Sequence, residues 1–162
     1  MLGSSIQIGG PGVDATPVNG NTGTAVSSDW GFDHAADLDA HHTNLADITF
    51  VIDGGGIAIT TGQKGHIEIS FACTIQQVTM LADQSGSIVV DIWKDTYANF
   101  LPTDADSITA SAVPTITTAT KSQDTTLTGW TTAIAAGDIL AFNVDSCTTI
   151  TRCTISLKVA KS

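Results

Sequence analysis

The segment from Gly129 to Asp145 reads GWTTAIAAGDILAFNVD, and its pattern decides the fold class. A short approach leads to Gly137-Asp138, after which Leu140, Phe142 and Val144 alternate with Ala141 and Asn143. A period of two puts one set of side chains on a buried face and the other on a wetter one, as in a half-buried strand. Glycine enters the left-handed region without steric cost, and aspartate bonds nearby backbone N–H groups. Gly137-Asp138 therefore reads as a tight turn.

Outward from this unit the same texture repeats. TITRCTISLKVAK (149–161) reads as a strand with Cys153, Ile155, Leu157 and Val159 inside and Arg152, Thr154, Ser156 and Lys158 outside. Upstream, ITFVI (48–52), IAIT (57–60), HIEISF (66–71), TIQQVTMLA (74–82), SIVVDIW (87–93) and TTLTGW (125–130) read as further strands. Ile75 and Val78 fall out of phase, which predicts a bulge between them. Asp83-Gln-Ser-Gly86 reads as a hairpin turn joining its two flanking strands. In SIVVDIW, Ile88, Val90 and Ile92 share one face and Val89, Asp91 and Trp93 the other. Residues 94–123 read as a long irregular connection, with a helical turn over Ser107–Val113 ended by Pro114. About eight strands with no βαβ alternation predict an all-β, antiparallel two-sheet sandwich of the Greek-key or jelly-roll kind.

Length and charge set the remaining bounds. A chain of 162 residues is one domain, or one domain with an appendage, and is long enough to fold without staples. Net charge is −10, which argues against nucleic acid and anionic membranes, since both need clustered Lys and Arg. The first basic residue is Lys64, whereas Asp14, Asp29, Asp33, Asp37, Asp39, Asp47 and Asp53 precede it, so the two ends differ in kind. No run of 18 apolar residues is present, and MLGSSIQIGGPG has neither the basic nor the apolar region of a secretory signal. Cys73, Cys147 and Cys153 show no CxxC spacing, and Cys153 is in phase with a buried face. Burial as a small hydrophobe in a reducing compartment is the expectation.

Three segments follow. Residues 1–28 are rich in Gly, Pro, Asn, Ser and Thr and read as an extended or disordered arm. The GGPG at 9–12 lacks the Gly-Lys-Ser/Thr of a phosphate loop. Residues 29–47 form an acidic neck, read either as a short helix or as an irregular linker. In the helical reading Ala35, Leu38, His42 and Leu45 make a narrow seam that needs a partner copy. Asp33, His34, Asp37, Asp39, His41 and His42 crowd together here, but no i, i+4 His pair exists, so no metal or other cofactor is expected. Residues 48–162 form the β domain.

No GxSxG is present, Glu68 is the only glutamate, and Asp91, Asp95, Asp104 and Asp106 are expected as turn and surface residues. The expectation is a protein that is not an enzyme. The candidate binding residues are aromatic: Trp93, Tyr97, Phe100 and Trp130, with Asp95 and Asn99 nearby as polar partners for a glycan. Burial in a core or a subunit contact is the competing reading of each ring.

Across 48–161, and most specifically in ADQSGSIVVDIWKDTYANF (82–100), KSQDTTLTGWTTAIAAGDIL (121–140) and FNVDS (142–146), the chain resembles a known domain. It is a C-terminal domain recurring in predicted tail-fibre and minor structural proteins of tailed bacteriophages. The resemblance implies a virion location after assembly in the host cytoplasm, and a homo-oligomer, preferably a trimer. The bipartite sequence itself suggests that the arm contacts other virion proteins and the domain forms a knob, with a host surface glycan as a candidate partner of its loop aromatics. The short arm and neck leave a short spike, a collar, or a head-decoration or capsid-associated role open, and the long-loop aromatics make a carbohydrate-binding adhesin the other alternative.

Overall fold

The computed structural model describes Val13–Asp14, Ala25–Val26 and Asn44–Ser162. The chain divides into two units, Met1–Thr43 and Asn44–Ser162. In the first, β1 (Val13–Asp14) and β2 (Ala25–Val26) form a two-residue parallel pair. The rest of the expected arm, and the neck up to residue 43, lie outside the described residues.

The second unit is all-β. Its strands are β3 (Leu45–Asp53), β4 (Gly62–Ile69), β5 (Cys73–Thr96), β6 (Thr115–Asp124), β7 (Ala133–Ile134), β8 (Asp138–Thr148) and β9 (Arg152–Lys161). All seven belong to one antiparallel sheet, with β3-β9-β5-β8-β4 in order and β6 and β7 on the remaining edge of β5.

Strand β5 is the spine. Its 24 residues run from Cys73 to Thr96 without a break. The expected hairpin at Asp83–Gly86 is therefore wrong: the chain bends there but does not turn back. The partner bends with it. The first half of β5 pairs with β9 (Cys73↔Lys161 to Ala82↔Cys153), and the second half pairs with β8 (Ser87↔Thr148 to Thr96↔Asp138). The two halves thus form one long ribbon with a corner where 83–86 faces 149–151.

Local chemistry makes the corner. Thr149 has φ +67°, a left-handed conformation that reverses the partner strand locally. Ile150 turns into the core and is fully buried. The Asp83 carboxylate accepts from the Thr151 hydroxyl, from Thr151 N–H at 3.2 Å and from Arg152 N–H at 3.0 Å. Those bonds hold its carboxyl below the usual carboxylate range. Gly86 is required by close approach, because a Cβ there would lie 2.4 Å from the Thr148 carbonyl oxygen. Turn chemistry is present in the sequence here, but it serves a bend.

The corner curls the sheet so that its halves face one another. Phe50 of β3 stacks on Phe142 of β8 with centroids 4.4 Å apart and planes 3° from parallel, although these strands are not neighbours in the sheet. The alternating inner residues form one core: Ile48 and Ile52, Val78 and Met80, Ile88, Val90 and Ile92, Leu140, Phe142 and Val144, and Cys153 to Val159. The expected bulge lies between Ile75 and Gln77. Gly137 takes φ +88° at the turn into β8, as the Gly-Asp pair predicts, and Asp138 closes that turn by accepting from Ala135 N–H at 2.8 Å.

Other expectations fail for identifiable reasons. IAIT (57–60) is not a strand: only Ile59 is buried, bonded through its N–H to the Ile150 carbonyl, while Ile57 is 67% exposed. TTLTGW (125–130) is a turn in which the Asp124 carboxylate accepts from Thr126 N–H and Leu127 N–H, and Leu127 and Trp130 are buried without belonging to a strand. The end of the supposed irregular connection is strand β6, and Ser107–Val113 forms a turn and no helix. Leu45, read as the last seam residue of the neck, starts β3 opposite Ala160.

Candidate functional site

The two halves of the ribbon have different outer faces. On the β3–β9–β5 half, cross-strand rows read Thr49, Ser156, Thr79 and Val51, Thr154, Leu81. These side chains are exposed or half-buried. A shallow recess of about 390 Å³ lies between this face and β6, lined by Thr79, Leu81, Lys121, Ser122 and Gln123. Nothing charged or polar is buried in that lining, and the Gln123 amide is already bonded to the Thr79 hydroxyl at 3.0 Å.

The outer face of the β5–β8–β4 half is partly covered by the chain itself, which buries Asp91, Ala141 and Ile139 and leaves His66 and Glu68 exposed. Its rows are Asp91, Asn143, Gln63; then Trp93, Ala141, His66; then Asp95, Ile139, Glu68. After Thr96 the chain makes a 3-10 turn at Tyr97–Asn99 and crosses to β4. There Phe100 meets His66 edge-on with centroids 4.9 Å apart, and the Pro102 carbonyl accepts from Gln63 at 2.9 Å. A second 3-10 turn, Asp104–Asp106, is capped by Thr103 and brings the chain back to the free edge of β5. Ser107 bridges Trp93, and Ile108 N–H donates to the Ile92 carbonyl at 2.9 Å. This crossing explains why Ala141 and Ile139 are buried although they are out of phase with the core.

Asp91 anchors the crossing. It is 6% exposed, and its carboxylate accepts from Ile92 N–H (2.7 Å), the Trp93 indole N–H (2.8 Å), Ser107 Oγ (2.9 Å) and Thr109 Oγ1 (2.5 Å). Charge-assisted bonds of this kind offset the cost of removing a carboxylate from water. Nearby Asp145 is exposed, yet partial desolvation raises the pKa of its carboxyl; the Asn143 amide opposes that rise, and the charges of Asp91 and Asp104 add to it.

The predicted aromatic site divides accordingly. Trp130 is 9% exposed with its indole N–H on the Ala112 carbonyl at 2.9 Å, so it belongs to the core and not to a glycan surface. Trp93 is half-buried and its N–H is committed to Asp91, which leaves only part of its ring open. Tyr97, Phe100, Asp95 and Asn99 come together. Tyr97 is 78% exposed and Phe100 51%, with Leu101 equally open. Phe100 N–H closes the turn onto the Tyr97 carbonyl at 3.4 Å. Asp95 Oδ1 accepts from Thr96 N–H at 2.7 Å and from Asn99 Nδ2 at 3.2 Å. Sequence reading missed His66, Glu68 and Leu101. His66 lies 34 residues before Phe100, and only the register of β4 on β8 reveals that they meet.

Of the proposed seam, Leu45 is in β3 and Ala35, Leu38 and His42 lie outside the described residues. The His and Asp crowd at 33–42 does too, and among the described residues no cluster of His, Cys, Asp or Glu is placed to hold a metal. Burial raises all three thiols, Cys153 to about 11. No helix among the described residues is long and apolar enough to cross a membrane. Neither a protein-family model nor a curated protein matches this chain.

Proposed function

We propose that the chain is a structural protein of a tailed-bacteriophage virion, a tail fibre, spike or related appendage. Segment 1–28 anchors it to other virion proteins, and the β domain forms an exposed knob in a homo-oligomer, a trimer in the preferred form. In this reading the curled sheet is a two-layer jelly-roll-like sandwich, and the protein assembles in the host cytoplasm. The observation that carries the reading is the run Tyr97, Phe100 and Leu101, held outward by a turn on a domain whose other large aromatics are packed away. Exposed apolar clusters with a polar rim mark contact surfaces. That turn lies at the end of the 82–100 stretch, where the resemblance to phage structural proteins is most specific.

The test has two parts: light scattering on the full chain, and mass spectrometry of purified particles from a phage that encodes it. A three-copy mass and presence in the particle support the reading. A monomer that is absent from particles overturns it. The second reading, a carbohydrate-binding adhesin module, is favoured by the Asp95–Asn99 pair beside Tyr97 and is compatible with the first.

A further inference from the structure

We infer that the Tyr97–Phe100 turn is a binding site for neutral carbohydrate, and that it rejects acidic sugars. This deepens the knob reading by giving its exposed surface a ligand class. Tyr97 opens a 3-10 turn and Phe100 follows as its C-terminal cap, so the turn presents two exposed apolar plates three residues apart. The C–H face of a sugar ring stacks on such plates without needing a deep pocket.

The polar groups beside the plates are spare acceptors. One Asp95 oxygen is saturated by Thr96 N–H and Asn99 Nδ2, which fixes the carboxylate and the amide side by side. Among the described residues neither Asp95 Oδ2 nor the Asn99 side-chain carbonyl oxygen takes a hydrogen bond, and both can accept from hydroxyls. The second Asn99 N–H can donate back. A pair of neighbouring sugar hydroxyls both gives and takes hydrogen bonds, and this pair of side chains matches it. The turn is pre-set by these bonds and by the Phe100–His66 contact, so little ordering is needed on binding.

Charge decides which sugars fit. Glu68 lies in the same cross-strand row as Asp95, with Ile139 between them. The nearest cation on β5, Lys94, is engaged with Asp138 at 3.0 Å on the inner side of the sheet. A carboxylated, sulfated or phosphorylated glycan would meet the Asp95 and Glu68 carboxylates, with the His66 imidazole against Phe100 as the basic group beside them. A second copy of the same turn would meet the same repulsion, which argues against self-docking through this patch.

The test is a glycan array probed with the full chain, read beside Tyr97→Ala, Phe100→Ala and Asn99→Ala. The expected result is binding to neutral oligosaccharides and no binding to their sialylated or sulfated forms. Tyr97→Ala and Phe100→Ala should each weaken retention at least tenfold with the fold intact by circular dichroism, since both rings are exposed. No neutral glycan bound, acidic forms bound equally, or unchanged retention in both ring variants would overturn the inference. Presence in purified particles without glycan binding would sink this inference alone. Glycan binding without presence in particles would sink the virion reading and leave the site.

Discussion

The two halves of one β-ribbon were built from the same alternating pattern, yet they meet solvent differently. On the β3–β9 half, outward residues such as Thr49, Thr154, Ser156 and Leu81 have no further layer above them within Asn44–Ser162. On the β8–β4 half, the segment after Thr96 crosses the outer face, and outward residues such as Asp91, Ala141 and Ile139 are as buried as a core. The difference teaches that alternation fixes only which face a residue takes. Whether that face is wet depends on where a connecting segment is pinned, and here the Asp91 carboxylate ties two hydroxyls of that segment, Ser107 and Thr109, to β5.

The largest expected effect comes from removing that carboxylate. Asp91→Ala leaves the Trp93 indole and the Ser107 and Thr109 hydroxyls without their shared acceptor. Urea unfolding should show a loss of roughly 3–5 kcal/mol. A loss below about 1 kcal/mol would mean that the covered half does not depend on its latch.

The next effect concerns the inner face. Cys153 is fully buried in the bare half, and burial pushes its thiol from 9.0 up to about 11. A raised folded value means that the unfolded chain loses its proton first as pH climbs. Stability should therefore be intact below pH 9.0 and fall by about 2–3 kcal/mol as pH approaches 11. Cys153→Ala should flatten most of that alkaline slope. An unchanged slope would place its origin elsewhere.

The corner that separates the halves is a third point of attack. Gly86→Ala puts a methyl 2.3 Å from Thr149 Oγ1 and 2.4 Å from the Thr148 carbonyl oxygen. The backbone oxygen cannot move freely, so thermal melts should report roughly 1–3 kcal/mol of destabilisation. The smallest effect belongs to the bare face. Leu81→Thr should change stability by no more than about 0.5 kcal/mol, because Leu81 is half exposed and no segment packs over it. A large cost there would show that this face is covered after all.

Much of the fold was legible because it rests on alternation. The inner sets Ile88–Val90–Ile92, Leu140–Phe142–Val144 and Cys153–Val159 were readable directly, as were the Gly137 turn and the bulge after Ile75. The corner was not, because Asp83-Gln-Ser-Gly86 carries the same residues as a hairpin turn. What turns it into a bend is Thr149–Arg152, some 65 residues away, supplying the bonds that Asp83 and Gly86 need. Strand β6 was hidden because its threonines and lysine alternate weakly, with only Ile116 fully buried. At the candidate site the aromatics and the Asp95–Asn99 pair were legible as a local cluster. Which rings stay outside was not, since that depends on the Asp91 latch and on the Ala112 carbonyl that holds Trp130.

The most direct test of the account is residue-resolved amide hydrogen exchange on Asp91→Asn, a substitution that keeps the shape and removes the charge. The account predicts faster exchange confined to 107–114 and to the β5 and β8 amides beneath the crossing, with β3 and β9 at wild-type rates. Equal acceleration across β3, β9 and β8 would contradict it, because the latch would then be holding the whole domain and not one face.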